Sequence, residues 1–328
     1  HSNLLFTLNY TSSSPEHSHL ELARRYGRLV QKKAGQPINK WNCSAQPERL
    51  RVGLVSGDLY NHPVGFFLES LLHEFHSERV ELIAYPTNPK NDHLTARIKP
   101  QFTAWKPLFG LSDEAAARLI QADGIHVLLD LSGHTSHNRL PMFAWKPAPV
   151  QASWLGYFAT TGVEAIDYFL ADEMGVPESQ RQNFSEALWY LPDTRLCFSE
   201  PESDLPVAST PALEKGHITF GCFQKLTKVG DEVLQAWSAI LAALPAARLR
   251  WQCGQFGDPA VVAQLFKRLQ QVGIDPARVS LQGSMPRANY LAAHAEVDLI
   301  LDSFPFPGGT TTCEALWMGV RSEERRVG

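Results

Sequence analysis

The sequence predicts an α/β protein built from two doubly wound lobes. Strand-like and helix-like segments alternate through residues 51–200. After a proline-rich stretch the alternation restarts near Ile218. The last strand-like run ends in FPFPGGTTTCE (304–314), two glycines and three threonines at the mouth of a helix. Regular alternation of this kind makes a parallel sheet covered by helices, and such sheets hold ligands at the carboxyl ends of their strands.

Taken in order, residues 4–33 carry helical spacing in Leu20, Leu22, Ala23, Tyr26 and Leu29, with Arg and Lys between them. Residues 34–50 are polar and read as a linker. RVGLVS (51–56) reads as a strand, 65–75 as a helix, 80–85 as a strand, 113–122 as a helix and 126–131 as a strand; further strands fall at 150–154, 166–171 and 188–191. Four prolines among Ser, Asp and Glu in 192–216 mark a connector between domains. Beyond it come a strand at 218–223, a helix at 231–244, a strand at 249–253, a helix at 260–272, a strand at 279–282, a helix at 287–295 and a strand at 297–302. A buried-type helix is expected at 313–319. The domain reading is therefore a helical segment and linker over 1–50, an N-terminal lobe over 51–200, a connector over 201–216 and a C-terminal lobe over 217–320. The polar octapeptide RSEERRVG (321–328) reads as a non-native tail that truncates the second lobe, and an opening His1 in place of Met implies missing upstream sequence.

At 328 residues, 44% hydrophobic and 20% charged, the chain is long enough for two cores. A net charge of −4 without a long basic run gives no reason to expect nucleic acid. No apolar stretch approaches a membrane span. The five cysteines are scattered, odd in number and without metal-ligand spacing, which suits free thiols in a reducing cytoplasm.

The glycine–threonine turn is the strongest chemical signal. Gly308 and Gly309 allow close backbone approach, the first-turn N–H groups and the helix dipole favour an anion, and Thr310, Thr311 and Thr312 add hydroxyl donors. Glu314, one turn in, is placed to accept from ribose hydroxyls. A nucleotide diphosphate is the expected ligand. Lys228, after the first strand of the second lobe, can reach that diphosphate and neutralise leaving-group charge, and Arg287 and Tyr290 are candidates for base or ribose contacts. In the first lobe Asp58, Asn61 and His62 follow the first strand; they suit acid–base or sugar-binding work and equally a turn and a helix cap. His134 and His137 lack carboxylate or cysteine partners nearby and read as loop histidines, so no metal site is expected.

Several segments, in order, carry a family resemblance: RVGLVSGDLYNHP (51–63), DGIHVLLDLSGHT (123–135), KPAPVQASWLGYFATTG (146–162), IDYFLAD (166–172), FQKLTKV (223–229) and FPGGTTTCEALWMGV (306–320). Together with HSNLLFTLNY at the start, they resemble the catalytic region of the protein O-GlcNAc transferase and SPINDLY-like family, glycosyltransferase family 41, over residues 1–320. That resemblance implies a GT-B fold, two Rossmann-like lobes facing a cleft, with metal-independent, inverting transfer of N-acetylglucosamine from UDP-GlcNAc to Ser or Thr of an acceptor protein. It implies no separate cofactor and tetratricopeptide repeats upstream. Position by position it casts His1 as a general base, Asp58 and His62 as acceptor- and sugar-side residues, and Leu155 and Gly156 as neighbours of the sugar. Lys228, Thr310 and Thr311 fall on diphosphate-binding positions, and Glu314 on an aspartate that animal relatives use for the ribose. Gly309 and Tyr290 stand where animal relatives have histidines, Lys225 where they have glutamine and Arg287 where they have lysine. These departures point to the bacterial and SPINDLY-like branch, which includes protein O-fucosyltransferases using GDP-fucose. That donor, or a fragment that binds nucleotide without transfer, is the alternative.

Overall fold

The computed structural model describes residues 1–11, 16–75, 78–202 and 204–323. It contains two compact units, one of residues 1–8 and 13–200, the other of residues 9–12 and 201–328. The first unit runs α1 (Ser2–Leu8), α2 (Glu16–Ala34), β1 (Leu50–Ser56), α3 (Pro63–Glu74), β2 (Val80–Pro86), α4 (His93–Ile98), β3 (Ala104–Trp105), α5 (Asp113–Ala122), β4 (Val127–Asp130), α6 (Leu140–Phe143), β5 (Val150–Ser153), β6 (Tyr168–Ala171) and β7 (Ala187–Tyr190). The second runs α7 (Ala212–Lys215), β8 (Thr219–Cys222), α8 (Asp231–Ala243), β9 (Arg248–Gln252), α9 (Pro259–Gln271), β10 (Val279–Gln282), α10 (Arg287–Ala292), β11 (Leu299–Leu301), α11 (Thr310–Trp317) and β12 (Arg321–Glu323).

Both sheets are parallel, of seven strands in the order β3-β2-β1-β4-β5-β6-β7 and of five in the order β10-β9-β8-β11-β12. Each order reverses direction once, between β1 and β4 in the first unit and between β8 and β11 in the second. Loops leaving the two strands at a reversal diverge to opposite faces and leave a crevice there.

Helix starts follow their caps. Ser112 accepts from the Ala115 N–H ahead of α5, Asp258 and Pro259 open α9, and Asp92 with Thr95 forms a capping box on α4. The first core gathers Val55, Tyr85, Ile120, Leu128 and Phe143 from β1, β2, α5, β4 and α6. The second centres on Trp237 and Trp251, whose rings meet edge to face at 5.4 Å.

Three findings differ from the sequence reading. Leu5, Ala23, Tyr26, Val30 and Ile38 belong to the first unit's core, so α1, α2 and Ile38 pack as part of that unit and do not precede it as a separate segment. The polar stretch after α2 is docked as well: the Ile38 N–H donates to the Trp145 carbonyl at 2.8 Å and Trp41 Nε1 to the Lys146 carbonyl at 2.8 Å. Backbone and indole hydrogen bonds, invisible to a composition argument, anchor it. Second, the helix expected over 287–295 stops at Ala292 and continues as a tighter turn over Ala293–Glu296. Third, Arg321–Glu323, assigned to a non-native tail, forms β12 beside β11; residues 324–328 lie outside those described. No helix among the described residues is long and apolar enough to cross a membrane.

Candidate functional site

The first unit presents its polar candidates where β1, β4 and β5 end. Beyond β1 the Gly57 N–H donates to Ser132 Oγ at 3.2 Å, which fastens the loop after β1 to the loop after β4. Asp58 is buried, and burial pushes its carboxyl above the usual range, while His62, Tyr60 and His137 favour its charge. His62 is the N-cap of α3. Its Nδ1 accepts from the Val64 N–H at 3.4 Å and lies 3.7 Å from Asp58 Oδ1. The two contacts require different protonation states. A neutral Nδ1 can cap the helix, whereas a protonated Nδ1 can only face the carboxylate, so taking up a proton exchanges a cap bond for an ion pair. Asn61 is exposed, and its backbone N–H donates to Asp92 Oδ2 at 2.8 Å.

Leu155 and Gly156 follow β5. Leu155 adopts a left-handed φ of 73°, and a Cβ on Gly156 would collide with the Leu131 carbonyl oxygen, so this turn is pressed against the loop after β4. His1 is exposed at the head of α1, its carbonyl accepting from the Leu5 N–H at 3.0 Å. The next residue, Ser2, reaches His134 Nδ1 at 2.9 Å, and His134 Nε2 donates to the Thr161 carbonyl at 2.9 Å. His134 is thus a buried tie between α1 and the loops after β4 and β5, held neutral by burial that lowers its pKa to about 4. Fully buried Asp130 shapes the same loop, accepting from Ser132 N–H, Gly133 N–H and Ser153 Oγ, with its pKa pushed up to about 6 by burial. Neither role was apparent from spacing; the motif DLSGHT was the available signal.

In the second unit the candidates cluster at the β8/β11 reversal. Phe223–Lys228 leaves the end of β8 and Asp302–Gly309 leaves the end of β11. Lys228 Nζ donates to the Pro307 carbonyl at 3.0 Å and sits 4.2 Å above the Phe306 ring, so its ammonium is lodged at the mouth of α11. Desolvation lowers its pKa to about 8, opposed by Asp302. Thr310, Thr311 and Thr312 form the first turn of α11, with Gly309 as N-cap residue.

The glycines differ in role. A Cβ on Gly308 would collide with Gln224 Nε2, Thr311 Oγ1 and Thr312 Oγ1, whereas one on Gly309 would meet nothing within 4 Å. Of the two, Gly308 alone has no room for a side chain unless Gln224 and the threonine hydroxyls shift. Nor is every N–H at this turn open: that of Gly308 is taken by Asp302, at 2.8 and 3.1 Å to its two oxygens. Gln224 and Asp302, which the sequence reading did not assign to the site, turn out to scaffold it.

Glu314 is not an open ribose acceptor in this structure. It is 3% exposed, with Arg287 Nη1 on one oxygen at 2.6 Å and the Tyr290 hydroxyl on the other at 2.9 Å. Arg287 and Tyr290 accordingly clasp α10 to α11. The reason is helical geometry: one turn into α11, position 314 faces inward against α10, not out of the helix mouth. Tyr290, together with Phe223, Lys225, Cys253, Ser284 and Met285, lines a cavity of about 200 Å³ beyond the ends of β8, β9 and β10. A larger hollow of about 630 Å³ in the first unit, lined by Arg24, Arg28, Lys32, Glu164 and Ser185, involves none of the candidate residues. Among the described residues no cluster of His, Cys, Asp and Glu could hold a metal ion.

The model of the family Glycosyl transferase family 41 matches residues 14–201. A Petunia hybrida protein called probable UDP-N-acetylglucosamine–peptide N-acetylglucosaminyltransferase SPINDLY is 36% identical over 97% of this chain and 35% of its own length. An Arabidopsis thaliana protein with the same enzyme description and the name SEC is 30% identical over 88% of this chain and 30% of its own. The chain thus spans about a third of the length of these relatives. A mutant Thermobaculum terrenum O-GlcNAc transferase superposes with a TM-score of 0.91 at 37% identity, over 98% of this chain and 61% of that one. The galactosyltransferase WaaB, at a TM-score of 0.53 and 14% identity, shares the GT-B fold alone.

Proposed function

The chain belongs to glycosyl transferase family 41, and from that premise we propose that it transfers N-acetylglucosamine from UDP-GlcNAc to Ser or Thr hydroxyls of proteins, with inversion and without a metal. The observation that carries this reading is Lys228 lodged at the threonine-lined mouth of α11, at the sheet's reversal point. A cationic side chain, helix N–H groups and hydroxyls converging on one place make a diphosphate site.

In this reaction the acceptor oxygen attacks the anomeric carbon, the bond from that carbon to the β-phosphate oxygen breaks, and the diphosphate departs with the electron pair. Lys228 and the first turn of α11 stabilise the charge that grows on it, the part a metal ion would otherwise take. The acceptor hydroxyl must lose its proton as the new bond forms. His1, His62, or Asp58 through water takes that proton; for His62 the uptake is coupled to the switch from the Val64 cap to Asp58. Asn61, Leu155 and Gly156 border the sugar. The cavity beside Tyr290 and Lys225 receives the base, and ribose contact by Glu314 requires release from Arg287 or Tyr290. A cytoplasmic setting, in keeping with five free cysteines, is part of the same proposal.

Lys225, Arg287 and Tyr290 depart from the animal pattern on the base side, which keeps GDP-fucose as the second reading. Calorimetric titration with UDP and GDP, followed by transfer assays with both donors, tests the choice. UDP binding at least tenfold tighter, about 1.4 kcal/mol, is expected; the reverse order makes the protein an O-fucosyltransferase.

A further inference from the structure

Gln224 is 2% exposed and holds no charge, yet it sits at the centre of the anion cradle. Its Nε2 lies 3.1 Å from Asp302 Oδ1 and 2.8 Å from Thr311 Oγ1. The orientation of its amide is set by Asp302. Burial raises the pKa of that carboxyl, but the N–H groups of Ser303 and Gly308 and the Lys228 ammonium oppose the rise and favour its charged form, and a carboxylate oxygen can face only the nitrogen end of the amide. Gln224 must therefore donate to Thr311, and Thr311 Oγ1 must accept. A threonine hydroxyl has one proton, and among the described residues no protein group accepts it. The neighbouring Thr312 Oγ1 is buried and without a hydrogen-bond partner among the described residues. Gly308 leaves open the space between Gln224 Nε2 and both hydroxyls.

We propose that Gln224 is a positioning residue that sets the polarity of this cradle: by donating to Thr311 it commits the Thr311 hydroxyl proton to the phosphate oxygens of the bound nucleotide. The inference rests on the diphosphate reading above. Asp302 orients the Gln224 amide, Gln224 orients the Thr311 hydroxyl, and the hydroxyl donates to the anion. A glutamate at 224 would reverse the chain. Its carboxylate would take the Thr311 proton itself and add negative charge beside both Asp302 and the ligand.

The test titrates wild type, Gln224→Met, Gln224→Glu, Thr311→Val and the Gln224→Met/Thr311→Val double variant with UDP by calorimetry and with uridine by NMR, GDP and guanosine replacing them if the wild type prefers guanine. Hydrogen bonds to charged groups lead us to expect about a tenfold loss of UDP affinity for Gln224→Met and about a hundredfold loss for Gln224→Glu. Uridine binding should stay within about twofold in both, a result that a folding defect could not produce. Because Gln224 acts through the hydroxyl, the double variant should bind UDP as Thr311→Val does, within about threefold. Wild-type UDP affinity in Gln224→Glu, or a further tenfold loss in the double variant over Thr311→Val, overturns the role of Gln224 and leaves the diphosphate reading standing. Should Gln224→Glu fail to fold, the near-isosteric Gln224→Met and the double variant still decide. If the wild type binds neither diphosphate better than its nucleoside, the site reading fails and this inference with it.

Discussion

Lys228 owes its chemistry to a conflict between burial and charge. Desolvation pulls its pKa from 10.5 to about 8, while a bound diphosphate would favour the charged form and raise it again. Binding therefore takes up a proton above pH 8. UDP affinity should hold below about pH 8 and fall as pH rises through it, approaching tenfold per unit, in calorimetric titrations from pH 7 to 9.5. Lys228→Ala should remove that dependence and lower transfer at least about tenfold, mainly in kcat, because the charge it meets grows as the diphosphate leaves. An unchanged kcat would take Lys228 out of the diphosphate site. The glycine pair gives a second residue-scale contrast. Gly308→Ala drives a methyl into Gln224 and Thr311 and should abolish UDP binding, whereas Gly309→Ala meets open space in the free protein and should leave the melting temperature within about 2 °C. Equal effects of the two on UDP binding would show that the turn is not the cradle described. The pattern GGTTT was legible as a turn at a helix mouth, but which glycine the fold requires was not, because that depends on where Gln224 lies.

At the scale of elements, α10 and α11 are joined by the Arg287–Glu314–Tyr290 clasp, and α10 is followed by the turn holding His294. His294 is fully buried, stacks on Phe223 at 4.0 Å and has its pKa lowered from 6.5 to about 4 by burial. Between those pH values the unfolded chain binds more protons than the folded one. The contribution of this group is thus fully present above pH 6.5 and is lost as pH falls towards 4, at up to about 1.4 kcal/mol per unit. Urea unfolding at pH 6.5 and pH 4.5 should show this loss, and His294→Phe should shrink it. In the first unit His134 pulls the same way while Asp130 opposes it, and in the second Asp302, its carboxyl raised by burial, opposes His294, so the difference between wild type and His294→Phe is the decisive quantity. Most helices and strands were readable from periodicity and caps, as α5 shows with its Ser112 cap and buried Ala116, Ala117 and Ile120. Short elements such as β3 and α6 were not, because two to four residues carry no period to detect.

For the molecule as a whole, the proposed reaction and the packing of each unit can be tested apart. Transfer should survive EDTA; loss restored by magnesium or manganese would refute a diphosphate neutralised by Lys228 and α11. Trp251, buried at the centre of the second core, offers a separate test of the fold. Trp251→Ala should cost about 3–5 kcal/mol in urea unfolding, from lost burial and the cavity left behind.

The sequence by itself determined the class of fold, the β8 and β11 strands that frame the reversal, and the glycine–threonine turn at the mouth of α11, because alternating periods, caps and turn composition are local properties. Its ordered motifs also carried the family. Only the tertiary structure decided how those residues are used. It turned Glu314 inward to Arg287 and Tyr290, buried His134 as a tie and placed Gln224 and Asp302 behind the turn. It also drew Leu5, Ala23, Tyr26, Val30 and Ile38 into the core of the first unit. Each of these depends on what meets a side chain from a distant part of the chain, which hydrogen bonds and burial settle and which no local pattern records.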